Sequence, residues 1–237
     1  MAAMATESRK FCVLTTGRSG STSLMQALAA HADIALPSKQ IDCGDDELLQ
    51  RDGFLGHLRA YESLLGVQIK GEDALIDSYF RYNTGSPYAG FKSMPHRHAT
   101  YEAFIRRQDI QFITLVREDV PSTVASFMLA IQRGTWRRTG REPAERWVYQ
   151  AAHEPRVRAL ARQFLDNLRA LAKVPNAVRV SYEQLCTADF RSREMERFFG
   201  RPIQIKEPVS PVSGDSYTGN WERFLSIVQD VACRQVI

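Results

Sequence analysis

The chain is short of cysteine, has little charge imbalance and contains no long apolar run. Its 237 residues include four cysteines, Cys12, Cys43, Cys186 and Cys233, at spacings that suit no metal site. Scattered thiols argue against a disulfide scaffold and fit a reducing compartment. No stretch approaches the length of a membrane span. The opening MAAMATESRK lacks the apolar segment of a secretion signal, so a cytoplasmic protein is expected. The net charge is only +4, from 31 basic and 27 acidic residues. The arginines are interleaved with acids, which points away from nucleic acid and leaves room for a small anionic ligand. Linkers, repeats and low-complexity segments are missing as well. With 44% hydrophobic residues, the chain suits one domain over residues 1–237, of which 1–10 form a flexible N-terminus.

What is present is organised around FCVLTTGRSGSTSLMQAL, from Phe11 to Leu28. Residues 11–14 read as a buried strand, 15–21 as a tight turn, and 22–30 as a helix with Leu24, Met25 and Leu28 inward. A strand, a glycine loop and a helix in succession aim backbone N–H groups and a positive helix end at one point. Gly17 and Gly20 let the backbone approach a ligand. Arg18 adds charge, and Ser19, Ser21, Thr22 and Ser23 add hydroxyls. The stretch reads as a phosphate or sulfate cradle. A magnesium–triphosphate loop requires G-x-x-x-x-G-K-[ST]. Here Ser21 stands at the lysine position and Thr15 at the first glycine, which weighs against a nucleotide kinase or hydrolase.

The remaining pattern alternates strands and helices. Residues 34–36, 89–92, 111–116 and 177–180 read as strands. Residues 47–65, 96–107, 144–171, 190–199 and 221–231 read as helices, with breaks near Gly53 and Pro155, and a further helix follows Pro121. Residues 73–82 fit either class. This alternation predicts an α/β fold with a mostly parallel sheet covered on both faces. Arg117 leaves the strand QFITLV at its carboxyl end, where open α/β sheets bind ligands. It is placed to hold a second phosphate together with Ser126 on the following helix, unless Glu118 or Asp119 pairs with it.

TTGRSGSTSL resembles the 5′-phosphosulfate loop of sulfotransferases that use 3′-phosphoadenosine 5′-phosphosulfate (PAPS). LVREDVPSTVASF resembles the arginine–serine segment that holds the donor's 3′-phosphate in that family. VSYEQL resembles its SYEDL strand end, and YTGNWERF its GxxGDWKxxF segment. These segments run in family order from Phe11 to Phe224, and the set is similar to bacterial carbohydrate sulfotransferases of the nodulation-factor and trehalose type. The resemblance implies a P-loop-like sulfotransferase fold, with PAPS as donor, adenosine 3′,5′-bisphosphate (PAP) as product and no metal. It places the donor against Gly17, Arg18, Ser19, Gly20, Ser21, Thr22, Ser23, Arg117, Ser126, Tyr182, Gly219, Asn220 and Trp221.

The base that takes the acceptor's proton departs from the pattern. Where carbohydrate sulfotransferases of this kind have a glutamate, the chain has Gln40, after Lys39. Asp42 stands close by. Cytosolic sulfotransferases use the histidine of a K-x-H-L-P segment; in FKSMPHRH, Lys92 and Pro95 stand in comparable places, but Met94 stands where that histidine belongs, with His96 and His98 just beyond. Asp42, then His96, then His98 are the candidate bases; Lys92 would steady the sulfonate and Gln40 would orient the acceptor. The resemblance implies a hydroxyl or amine of a carbohydrate as acceptor, with a small natural product as the second candidate. Tyr79, Phe80, Tyr82, Tyr88 and Trp136 are candidates to line its pocket, and Asp42, Asp45, Asp46 and Glu47 would suit a polyhydroxylated or cationic molecule. Competing readings are a P-loop kinase or hydrolase, and a non-catalytic protein that binds adenosine bisphosphate.

Overall fold

The computed structural model describes residues 8–41, 46–49, 54–134, 147–187, 190–205 and 220–234. Five parallel strands form one sheet in the order β2-β3-β1-β4-β5: β1 (Arg9–Thr15), β2 (Ile34–Ala35), β3 (Tyr88–Ser93), β4 (Ile110–Val116) and β5 (Val178–Ser181). β1 is central. Phe11 pairs with Gly90 on one side and with Gln111 on the other. The chain builds outward to β2 and β3 on one side and then crosses to β4 and β5, so every carboxyl end lies along one edge.

Alternation along β1 explains the two covered faces. Cys12 and Leu14 join a core with Phe91, Phe112, Tyr79 and Leu75. Phe11 and Val13 join another with Leu24, Leu28, Ile113 and Phe199. A strand buried on both sides has no polar face, which is why FCVL reads as a continuous apolar run. The helices of these layers are α1 (Ser21–Ala29), α2 (Phe54–Leu65), α3 (Glu72–Tyr82), the short α4 (Tyr101–Phe104) and α8 (Arg193–Phe199). A third core joins α5 (Val120–Arg133), α6 (Glu154–Ala172) and α9 (Trp221–Arg234) through Val124, Phe164 and Phe224. The short α7 (Tyr182–Leu185) follows β5 directly.

Several boundaries differ from expectation. β1 begins at Arg9, inside the segment expected to be flexible, because Arg9 N–H bonds the Pro87 carbonyl and Tyr88 pairs alongside. Residues 73–82 are helical as α3. Glu47 is not helical; it makes an isolated parallel bridge to Lys92. Pro155 opens α6 rather than interrupting a longer helix, the position where its missing N–H costs nothing. The expected helix over 96–107 resolves into a 3-10 turn at Pro95–Arg97 and then α4. No described helix is long and apolar enough to cross a membrane.

Candidate functional site

The loop from Thr16 to Gly20 joins β1 to α1 at the carboxyl edge. Its shape is held internally. Ser19 is fully buried, donates to the Thr16 carbonyl at 2.7 Å and shares a hydrogen bond with Thr15. Ser19 thus braces the loop. Arg18 and Gly20 both take left-handed backbone, at φ 63 and 79. Glycine does so at little cost, but an arginine held there marks a constrained position. Gly20 caps α1 with no side-chain hydrogen bond, and the first turn carries no acid. Among the described residues, the N–H groups of Ser21, Thr22 and Ser23 therefore have no side chain capping them, the arrangement of a helix end that can accept an anion. The cap of α5 is the opposite case: the Asp119 carboxylate accepts from Ser122 N–H at 3.0 Å.

Arg18 reaches across to α5, where its Nε donates to Ser126 Oγ at 3.1 Å. Ser126, expected to work beside Arg117, is thereby joined to the loop as well. Arg117, at the end of β4, is only 4% exposed. Its guanidinium lies 4.3 Å above the ring of Tyr182 at the start of α7. Its Nε is buried without a hydrogen-bond partner among the described residues. Neither Glu118 nor Asp119 forms an ion pair with it, and Asp119 is engaged as the α5 cap. Tyr182 is itself 5% exposed and acts as the platform for Arg117. Thr16 Oγ1 and Ser93 Oγ, at the ends of the neighbouring strands β1 and β3, are also buried without partners among the described residues.

The expected second group of residues is divided. Lys92 lies within β3, 3% exposed, with its N–H bonded to the Asp46 carbonyl at 2.8 Å. Gln40 is tied into the fold: Tyr61 donates to its Oε1 at 2.9 Å, and its amide nitrogen bonds Asn83. Those ties hold it in the frame between α2 and α3. His98 is buried, paired through Nδ1 with Glu72 and stacked 4.1 Å from Phe104. Burial pushes the Glu72 carboxyl up, but the bonds from His98 and Ala99 N–H outweigh it and leave it lowered. This pair anchors the segment after β3 to α3. His96, by contrast, is exposed beyond the end of β3. Desolvation of the ring and the adjacent Arg97 charge lower its pKa, against a smaller opposing effect of Asn167.

Asp42 and Gly219 lie outside the described residues, as do Asp45 and Trp136. Asn220 has left-handed backbone, φ 52, and its carbonyl starts α9. Trp221 stacks on Phe224, with centroids 4.8 Å apart. Tyr79 and Phe80 are core residues, and Tyr88 packs on Phe198 and Phe199. Asp46 and Glu47 are also buried; Asp46 accepts from Ser38 N–H at 3.0 Å and Glu47 pairs with Arg97 at 3.2 Å. No local pattern points to Arg97 beside Glu47 or to Asn167 beside His96, because these two contacts join distant parts of the chain. Among the described residues, no group of three or more His, Cys, Asp or Glu side chains could hold a metal ion.

No protein-family description matches the chain. No curated protein matches it either. Among solved structures, it is similar to a sulfotransferase from Alicyclobacillus acidocaldarius, with 14% sequence identity, a TM-score of 0.47, and coverage of 96% of this chain and 94% of that one.

Proposed function

We propose that the chain is a sulfotransferase that moves a sulfuryl group from PAPS to a hydroxyl or amine of a carbohydrate or small natural-product acceptor. The observation that carries this reading is Arg117. A buried guanidinium stacked on Tyr182, with an unpartnered Nε and no carboxylate beside it among the described residues, is costly unless an anion completes it. It stands at the same sheet edge as the open end of α1. Two anion-binding positions at one edge suit a ligand with separated phosphates, and the bisphosphate of PAP is such a ligand.

PAPS supplies a sulfur–oxygen bond whose cleavage leaves its electrons on the 5′-phosphate as the acceptor's oxygen or nitrogen bonds the sulfur. The chain's own residues bind and orient. The N–H groups at the start of α1, with Arg18, take the 5′-phosphate. Arg117, held flat by Tyr182, takes the 3′-phosphate. Thr16 and Ser93 add hydroxyls at the same sheet edge. Lys92 is the candidate to steady the sulfonate, and Asp42 and then His96 are the candidates to take the acceptor's proton.

Thermal unfolding with PAP, compared with ATP–magnesium and 5′-AMP, tests this reading. At a concentration one hundred times Kd, a ligand adds about 2.7 kcal/mol of stability. For a chain of this size that raises Tm by roughly 5–11 °C. A rise with PAP that is lost in Arg117→Ala is expected. A larger rise with ATP–magnesium would support the kinase reading and overturn this one. The non-catalytic reading draws on Gln40, an amide fixed by Tyr61 and Asn83 where a base was expected. Consumption of PAPS in the presence of acceptors would exclude it.

A further inference from the structure

Among the described cysteines, Cys12 is sealed in the core and Cys233 is exposed, while Cys186 is half-buried. The place of Cys186 follows from α7. It caps that helix with helical backbone, and its N–H donates to the Tyr182 carbonyl at 3.1 Å. Residues four apart on a helix share a face, so the thiol and the Tyr182 side chain are neighbours. Burial raises the pKa of the thiol; a hydrogen bond from the Tyr182 phenol and the charge of Arg117 act against it.

Tyr182 is also the platform of Arg117, whose guanidinium lies 4.3 Å above the ring. One side chain thus carries a cation on its face and a thiol beside its phenol. The cation is itself incomplete: Arg117 is 4% exposed, and its Nε has no hydrogen-bond partner among the described residues. An anion drawn to that guanidinium arrives beside a nucleophilic sulfur. Reactive thiols occupy electropositive, partly exposed places of this kind. Sulfuryl transfer makes no use of this one.

We propose that Cys186 is a modification site: it forms a mixed disulfide with small disulfides that carry a carboxylate, and this adduct and an anion at Arg117 exclude one another. The carboxylate pairs with Arg117 while the sulfur atoms meet. The Cys186 thiol gives its proton to water, and its sulfur bonds one sulfur of the small disulfide. That S–S bond breaks, its electrons leave on the second sulfur, and a proton from water completes the free thiol. One disulfide replaces another, so no further oxidant enters. The proposal rests on the sulfotransferase reading for the identity of the competing anion.

Two experiments on the full chain test it. In the first, native protein is incubated with dithiodiglycolate, which is anionic, or with hydroxyethyl disulfide, which is neutral. Each cysteine is followed on its own peptide by mass spectrometry. Cys186 should react more slowly than Cys233. PAP at one hundred times its Kd leaves about 1% of the chains open, so it should slow Cys186 about a hundredfold and leave Cys233 unchanged. In Arg117→Met, the ratio of the anionic to the neutral rate at Cys186 should fall about threefold or more. Taking the ratio cancels any change in thiolate content. Equal Cys186 rates with and without bound PAP, or a ratio unmoved by Arg117→Met, overturns the proposal.

The second experiment is calorimetric titration of the treated protein with PAP. Exclusion is reciprocal, so the adduct should weaken PAP binding about tenfold or more, and dithiothreitol should restore it. Cys186→Ser, treated in the same way, still carries the Cys233 adduct and should keep its PAP affinity. Undiminished binding by wild-type protein modified at Cys186 overturns the proposal. If PAP fails to bind the untreated wild-type protein, the sulfotransferase reading falls. The ratio of rates needs no nucleotide and then judges the proposal by itself.

Discussion

Gly90 is the position where a single methyl group should be felt most. It sits in β3 opposite Phe11 of β1, and a Cβ built there would stand 2.4 Å from three atoms of the Phe11 ring. The ring cannot swing aside. Phe11 is fully buried, with Phe199 edge-on at 5.3 Å and Phe198 at 6.2 Å. Overpacking of a filled core costs about 1–3 kcal/mol, and a contact this short belongs at the upper end. Alanine returns about 0.4–1 kcal/mol by reducing the freedom of the unfolded chain. The net loss for Gly90→Ala is therefore about 2 kcal/mol, a fall in Tm of roughly 4–8 °C for a chain of this length. Differential scanning calorimetry reads it. Phe11→Leu combined with Gly90→Ala should recover at least about 1 kcal/mol relative to the sum of the single variants. A Gly90→Ala protein that melts within about 1 °C of wild type, or a double variant that is simply additive, would refute the packing argument.

Gly17 makes the contrasting case. A Cβ there would meet Phe127 and Phe164 at an ordinary 3.7 Å, so Gly17→Ala should leave chemical-denaturant stability within about 0.5 kcal/mol of wild type. Acid sensitivity follows from carboxylates held below their usual range: Asp109 by Arg107 and then Lys10, Asp33 by Arg201, and Asp230 by Arg158 and Arg234. A depressed folded-state pKa stabilises the protein above the ordinary carboxylate value, and that stability is lost as pH falls through the folded value. The acid-unfolding curve of Asp109→Asn should therefore be less steep than that of wild type, and the difference in stability between the two proteins should shrink as pH is lowered below about 4.

The parts of the molecule legible in the sequence are those whose signals are local. QFITLV is β-branched and apolar and forms β4; Pro121 opens α5; the glycine loop after FCVL joins β1 to α1. Where a long-range contact decided the outcome, the pattern misled. Glu47 and Leu48 looked helical beside Leu49, yet a parallel bridge to Lys92 claims this segment. Residues 96–107 have helical spacing, but His96, Arg97 and His98 are tied in turn to Asn167, Glu47 and Glu72, and these ties favour a turn. Within the site, the positions of Arg18 and Arg117 at the sheet edge followed from the strand ends that precede them. The link from Arg18 to Ser126 did not, because it joins residues 108 apart in sequence.

Arg117 also sets a limit on how stable the unliganded chain can be. A cation sealed against a phenol ring, with no carboxylate beside it among the described residues, opposes folding in the absence of a ligand. A chain selected only for stability would carry methionine there, similar in length and uncharged. On the proposed reading, in which Arg117 takes a phosphate, stability and ligand capture pull in opposite directions at this one residue. The protein's tolerance for other destabilising substitutions should then be greatest when its anion is bound.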